Sequence, residues 1–97
     1  MESIFTITTI DDRLYPKGDS RCVGYRLELG DAQESVINNY GDIHEDSYNY
    51  CAIEEVIPGI YPYVIKEYWY MWSKVANEYV SIEKPNRYMT TCNFSIG

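Results

Sequence analysis

Arg26, Lys66, Tyr68, Tyr70 and Trp72 are the residues of this chain whose types could hold a ligand. Aromatic rings take a base by stacking and cations take phosphate, so this set suits a nucleotide-derived small molecule. Spacing supports part of the set: on a strand, Lys66, Tyr68, Tyr70 and Trp72 share one face, while Trp69 and Met71 share the other. Bond-making chemistry has less to stand on. His44 is the single histidine, and no spacing brings a nucleophile to it. It lies among Asp42, Glu45 and Asp46, without a second imidazole or the spacing of a calcium loop. Cys22, Cys51 and Cys92 are odd in number and form no C-x-x-C pair, which indicates neither a disulfide framework nor a thiolate metal site. No catalytic residue, no metal ligand set and no cofactor is therefore expected, and the protein reads as a binder rather than an enzyme.

A second surface competes with the first. Between Arg26 and Lys66 there is no Lys or Arg, while Glu28, Asp31, Glu34, Asp42, Glu45, Asp46, Glu54 and Glu55 all fall in that interval. Asp42, Glu45, Asp46, Glu54 and Glu55 could form an acidic face that imitates nucleic-acid phosphates and fills a basic groove on another protein. Such a protein-protein inhibitor is the alternative to a nucleotide binder.

These residues must be positioned by short elements. Ile4 to Ile10 is rich in β-branched residues and reads as an opening strand. Asp11 to Arg21 concentrates Asp, Pro, Gly and Ser and reads as a surface connection with a mobile tip. In Cys22 to Leu29, Val23, Tyr25, Leu27 and Leu29 alternate with polar residues or Gly, which predicts a strand with that apolar set toward the core. A helix is predicted over Ala32 to Tyr40, with Asp31 as N-cap, Glu34 completing a capping-box pattern and Gly41 as the left-handed residue beyond the end. Asp42 to Asn49 is polar and reads as a loop. Tyr50 to Ile57 is a strand stopped by Pro58-Gly59.

The aromatic stretch from Tyr61 to Tyr79 contains both tryptophans. Within it, Ile65 to Lys74 reads as a strand that turns at Ser73 to Asn77 into a further strand around Val80 and Ile82. The tail from Thr90 can add one short strand. The order β-β-α-β-β-β predicts an α+β domain, an antiparallel sheet of five or six strands with one helix on one face. One helix leaves the other face open, so a homo-oligomer is expected, and function is expected on that face.

Ninety-seven residues with a net charge of −7 make one domain, residues 1–97, unsuited to direct nucleic-acid binding or anionic membrane surfaces. MESIFTITTI has no positive n-region or long apolar core, and no apolar run reaches membrane-span length, so a cytoplasmic location is expected.

Several pieces carry a resemblance: Arg21, Val23, Gly24 and Tyr25 in R-x-V-G-Y; Asn38, Asn39, Asp42, Ile43 and Glu45 in N-N-x-x-D-I-x-E; Y-x-Y-x-A-I-E-E-V from Tyr48 to Val56; Gly59 to Pro62; Ile82 to Pro85; and the ending N-F-S-I-G. With these the chain resembles a family of small, mostly uncharacterised proteins encoded by gut bacteria and their phages or mobile elements. The resemblance implies a compact phage-type protein in the bacterial host cytoplasm that counters host immunity. Its implied modes are sequestering a nucleotide immune signal or blocking a host defence protein.

Overall fold

The computed structural model describes residues 2–13, 18–60, 62–89 and 94. β1 (Ile4–Asp11) and β2 (Asp19–Arg26) form a hairpin, helix α1 (Leu29–Ile37) follows, and β3 (Tyr50–Ile57), β4 (Tyr63–Ser73) and β5 (Glu78–Ile82) complete the sheet. The strand order is β2-β1-β3-β4-β5 and every neighbouring pair is antiparallel. The chain is thus the expected α+β arrangement, a five-stranded antiparallel sheet with one helix on one face. The short strand expected from Thr90, the tip of the 11–21 connection, Tyr61 and Cys92 lie outside the described residues.

α1 carries the chain from the β2 edge across β1 to β3. Its nine residues are too few to hold a helix in water by propensity alone, so packing must define it. Ala32 and Val36, one turn apart, are fully buried against Ile7, Cys51, Ile53, Tyr70 and Tyr79. Burying Val36 contributes roughly 1.5 to 3 kcal/mol.

The helix starts and stops earlier than the sequence pattern predicts. Glu28, extended and without a side-chain capping bond, is the N-cap in place of Asp31. Leu29 packs against the helix-side core and draws the first turn forward. Asp31 then sits inside the first turn, where its charge complements the helix dipole. At the other end Asn39 takes the left-handed conformation (φ 50°) two residues before Gly41. The Asn39 N–H donates to Val36 O at 3.1 Å and the Tyr40 N–H to Ser35 O at 3.0 Å, the bond pair of a Schellman ending.

β2 also departs from the pattern. It lies at Asp19–Arg26, not Cys22 to Leu29, because its register is set by the hairpin with β1, from Asp11 opposite Asp19 to Phe5 opposite Arg26. Ile7 pairs with Gly24 while Thr8 pairs with Cys22, so Val23 is an extra residue in a β-bulge. A bulge reverses the phase of alternation. Val23 packs on the helix-side core, whereas Tyr25 (61% exposed) and Leu27 (68%) do not join the predicted apolar set.

The second sheet face is covered over its middle, while Met71 on the same face stays exposed. Ile10, Ala52 and Trp69 are buried there beneath Tyr88 and Phe94 of the C-terminal segment. The Tyr88 ring stacks on Trp69 at 5.5 Å, and Phe94 meets Trp69 edge-on at 5.2 Å. These two rings cover apolar surface that would otherwise meet water.

Candidate functional site

The five residues expected to bind a ligand do not line one cavity. Alternation along β4 does place Lys66, Tyr68, Tyr70 and Trp72 on the helix side and Trp69 on the other. Arg26 belongs to the same side, in a cross-strand row with Phe5, Glu55 and Lys66. Two intervening strands separate the cations by roughly 14 Å. The rings are occupied with packing. Tyr70 is 3% exposed, and burial raises its phenol pKa, an effect that a Gln33 hydrogen bond opposes. Lys66 Nζ lies 5.2 Å over the Tyr68 ring. Trp72 is half-buried and covered by the His44 ring, 3.8 Å away and 6° from parallel.

The acidic set is divided as well. Asp42, Glu45 and Asp46 are exposed in the loop after α1. Glu54 is fully buried on the tail side, where it accepts the Phe94 N–H at 3.0 Å. Half-buried Glu55 faces the helix side and accepts the Ser3 hydroxyl at 2.7 Å. A single partner surface cannot use all five. Among the described residues no group of three His, Cys, Asp or Glu side chains is placed to hold a metal ion. Cys22 is exposed and Cys51 buried, with burial pushing the Cys51 thiol far up.

Among the clefts the fold builds, one of about 340 Å³ lies between β2 and the end of α1 with its following loop, and another of about 350 Å³ is lined by Tyr68, Tyr70 and Lys84. Ile7, Val23 and Gly24 form the floor of the first, Arg21 and Arg26 one wall, and Ser35, Tyr40, Asp42 and Glu45 the other. Arg21 and Arg26 are five residues apart, a spacing that regular alternation sends to opposite faces. The bulge at Val23 brings both to the helix side, opposite Thr9 and Phe5 of β1.

Each wall is fixed by polar contacts. The Arg26 Nε–H donates to Ser35 Oγ at 3.2 Å, and the Ser35 hydroxyl donates to the Asp31 carbonyl at 2.8 Å. The two terminal nitrogens of Arg26 have no hydrogen-bond or ion-pair partner among the described residues. Arg21 pairs with Glu45 at 3.5 Å, with both side chains substantially exposed, so that pair adds little stability. The Tyr40 hydroxyl donates to Glu34 Oε1 at 2.8 Å. Glu34 raises the Tyr40 pKa, and the Arg26 charge works in the opposite direction. Asp42 Oδ1 accepts from Asn39 Nδ2 and from the Glu45 N–H, both at 3.3 Å.

Sequence reasoning identified Arg26 and missed Arg21, Ser35 and Tyr40 as its neighbours. The available signal was Gly24 next to a β-branched residue in a strand, a pattern that marks a bulge or a close backbone approach.

Among the described residues no helix is long and apolar enough to cross a membrane. No family model, curated protein or solved structure matches this chain.

Proposed function

We propose that the protein is a non-enzymatic binder that captures a small nucleotide-derived anion in the cleft between β2 and α1. The observation that carries this reading is Arg26: an arginine braced at Nε by Ser35, with its two terminal nitrogens unpartnered among the described residues, on the wall of a cleft. Such a guanidinium presents a planar fork that matches a phosphate. Tyr40, which is 45% exposed, offers a ring face beside it. The cleft lies at the small end of the range for ligand pockets, roughly 300 to 1,000 Å³, which favours a ligand of mononucleotide size. Relative to the expected site, Arg26 is retained, while Lys66, Tyr68, Tyr70 and Trp72 are replaced by Arg21, Ser35 and Tyr40. The resemblance to proteins of gut bacteria and their phages supplies a setting, in which the bound nucleotide is an immune signal and binding alone removes it.

The test is thermal unfolding and calorimetric titration against mononucleotides, cyclic mononucleotides, cyclic dinucleotides and ADP-ribose derivatives. A ligand at 100 times its dissociation constant stabilises by about 2.7 kcal/mol. The expected result is selective, saturable stabilisation with the nucleotide recovered intact. A flat panel, or conversion of a nucleotide to product, overturns the reading.

A further inference from the structure

The two ends of the cleft differ in chemistry, and the difference names a base. Arg26 stands at one end. At the other, Arg21, Asp42 and Glu45 come together: Arg21 pairs with Glu45 at 3.5 Å, and the Glu45 N–H reaches Asp42 at 3.3 Å. The ends are set by Phe5 and Thr9 of β1, opposite Arg26 and Arg21, four residues or roughly 13 Å apart along the strand. Tyr40 also lines the cleft.

The far end offers a specific set of hydrogen-bonding groups. Asp42 Oδ1 is occupied by Asn39 and Glu45, while Oδ2 has no partner among the described residues. Oδ2 is therefore a free anionic acceptor on the cleft wall. Beside it Arg21, whose only ion pair among the described residues is the long one to Glu45, is a donor. An acceptor carboxylate next to a donor guanidinium matches the base edge of guanine, which presents N1–H and an exocyclic amine as donors and O6 as acceptor. Adenine presents an unprotonated N1 acceptor where guanine presents N1–H, and a carboxylate acceptor repels it.

We propose that the cleft selects a guanine nucleotide. Its phosphate lies on Arg26, its base stacks on Tyr40, and its base edge donates to Asp42 and accepts from Arg21. This inference rests on the nucleotide-binding reading above and adds the identity of the base. A site that offers both a donor and an acceptor favours the base whose edge complements both, because the other base sets its own acceptor against the carboxylate.

The experiment is a calorimetric comparison of 5′-GMP, 5′-IMP, 5′-AMP and ribose 5-phosphate on the intact protein, repeated with Asp42→Asn. Asn accepts the left-handed backbone that Asp42 adopts (φ 58°), so the variant preserves the loop. The expected order is GMP tightest, IMP weaker for want of the amine, and AMP at least ten-fold weaker than GMP. Asp42→Asn should erase the preference for GMP over AMP. AMP binding as tightly as GMP overturns the guanine assignment and leaves the phosphate site standing. So does an unchanged GMP preference in Asp42→Asn. Failure of all four ligands to bind overturns the nucleotide reading itself.

Discussion

The His44 imidazole lies flat on the Trp72 indole at 3.8 Å, and the same indole meets Tyr79 edge-on at 5.1 Å. This stack joins the loop after α1 to β4, and that loop also supplies Asp42 and Glu45 to the cleft. Burial holds the His44 pKa below its usual value, against the opposing pull of Asp46 and Asp42. The unfolded chain therefore binds more protons than the folded one as pH falls through the region near 6.5, and the linked stability is full above that value and lost below it. Melting temperature is expected to fall between pH 7 and pH 5.5. As His44 is the only histidine, His44→Phe should flatten the profile in that interval while preserving a stacked ring. An equal slope in the variant would remove His44 as the cause.

Arg26 and Lys66 share a face of the sheet, but only Arg26 lines the cleft. Arg26→Gln should weaken binding of the stabilising nucleotide by about 1.5 to 3 kcal/mol, the range for a hydrogen bond to a charged group, whereas Lys66→Gln should leave the affinity unchanged. Calorimetric titration of both variants separates the sites, and a larger loss with Lys66→Gln would return the ligand to β4.

Thr8 carries a fully buried hydroxyl with no hydrogen-bond partner among the described residues. An unsatisfied buried polar group is destabilising, and Val keeps the branched shape without the oxygen. Thr8→Val is expected to stabilise by about 1 kcal/mol, raising the melting temperature by roughly 4 to 8 °C. No change or a decrease would indicate that the hydroxyl is satisfied in solution.

Tyr88 stacks on Trp69, meets Tyr50 edge-on at 6.5 Å and donates to Asp12 Oδ2 at 3.2 Å. Tyr88→Ala should cost about 2 kcal/mol, below the figure for a fully buried ring because Tyr88 is half-buried. Denaturant unfolding gives the cost, and tryptophan emission should shift to the red as Trp69 meets water. An unshifted spectrum would mean that the tail does not shield that face.

Asn39 holds a positive φ (50°), accepts the His44 N–H at 2.9 Å through Oδ1 and bonds Asp42 through Nδ2. Asn39→Ala removes both contacts and strains the backbone, at about 1 to 2 kcal/mol. Asn39→Gly relieves the strain and should cost less. Equal costs for the two variants would assign the whole effect to the side chain.

Local pattern determined the element types here. β3 runs from Tyr50 to Ile57 as the alternation and the following Pro58-Gly59 require, and β4 keeps its aromatic residues on the predicted sides. These features depend on neighbours within a few positions, which a sequence displays directly. Tertiary structure decided what each face meets. Tyr70 and Trp72 have the composition of a binding platform, yet α1 and His44 cover them, and no local signal says which segment will land on a strand. Glu54 and Glu55 are adjacent in an acidic run, but one is buried beneath the tail and the other faces α1. The cleft depends most on long-range order. One extra residue at Val23 reverses the alternation of β2 and puts Arg21 beside the loop that Arg26 faces from the other end. Register is a property of two paired strands, so the side to which a cation five positions away points is settled only when β1 and β2 pair.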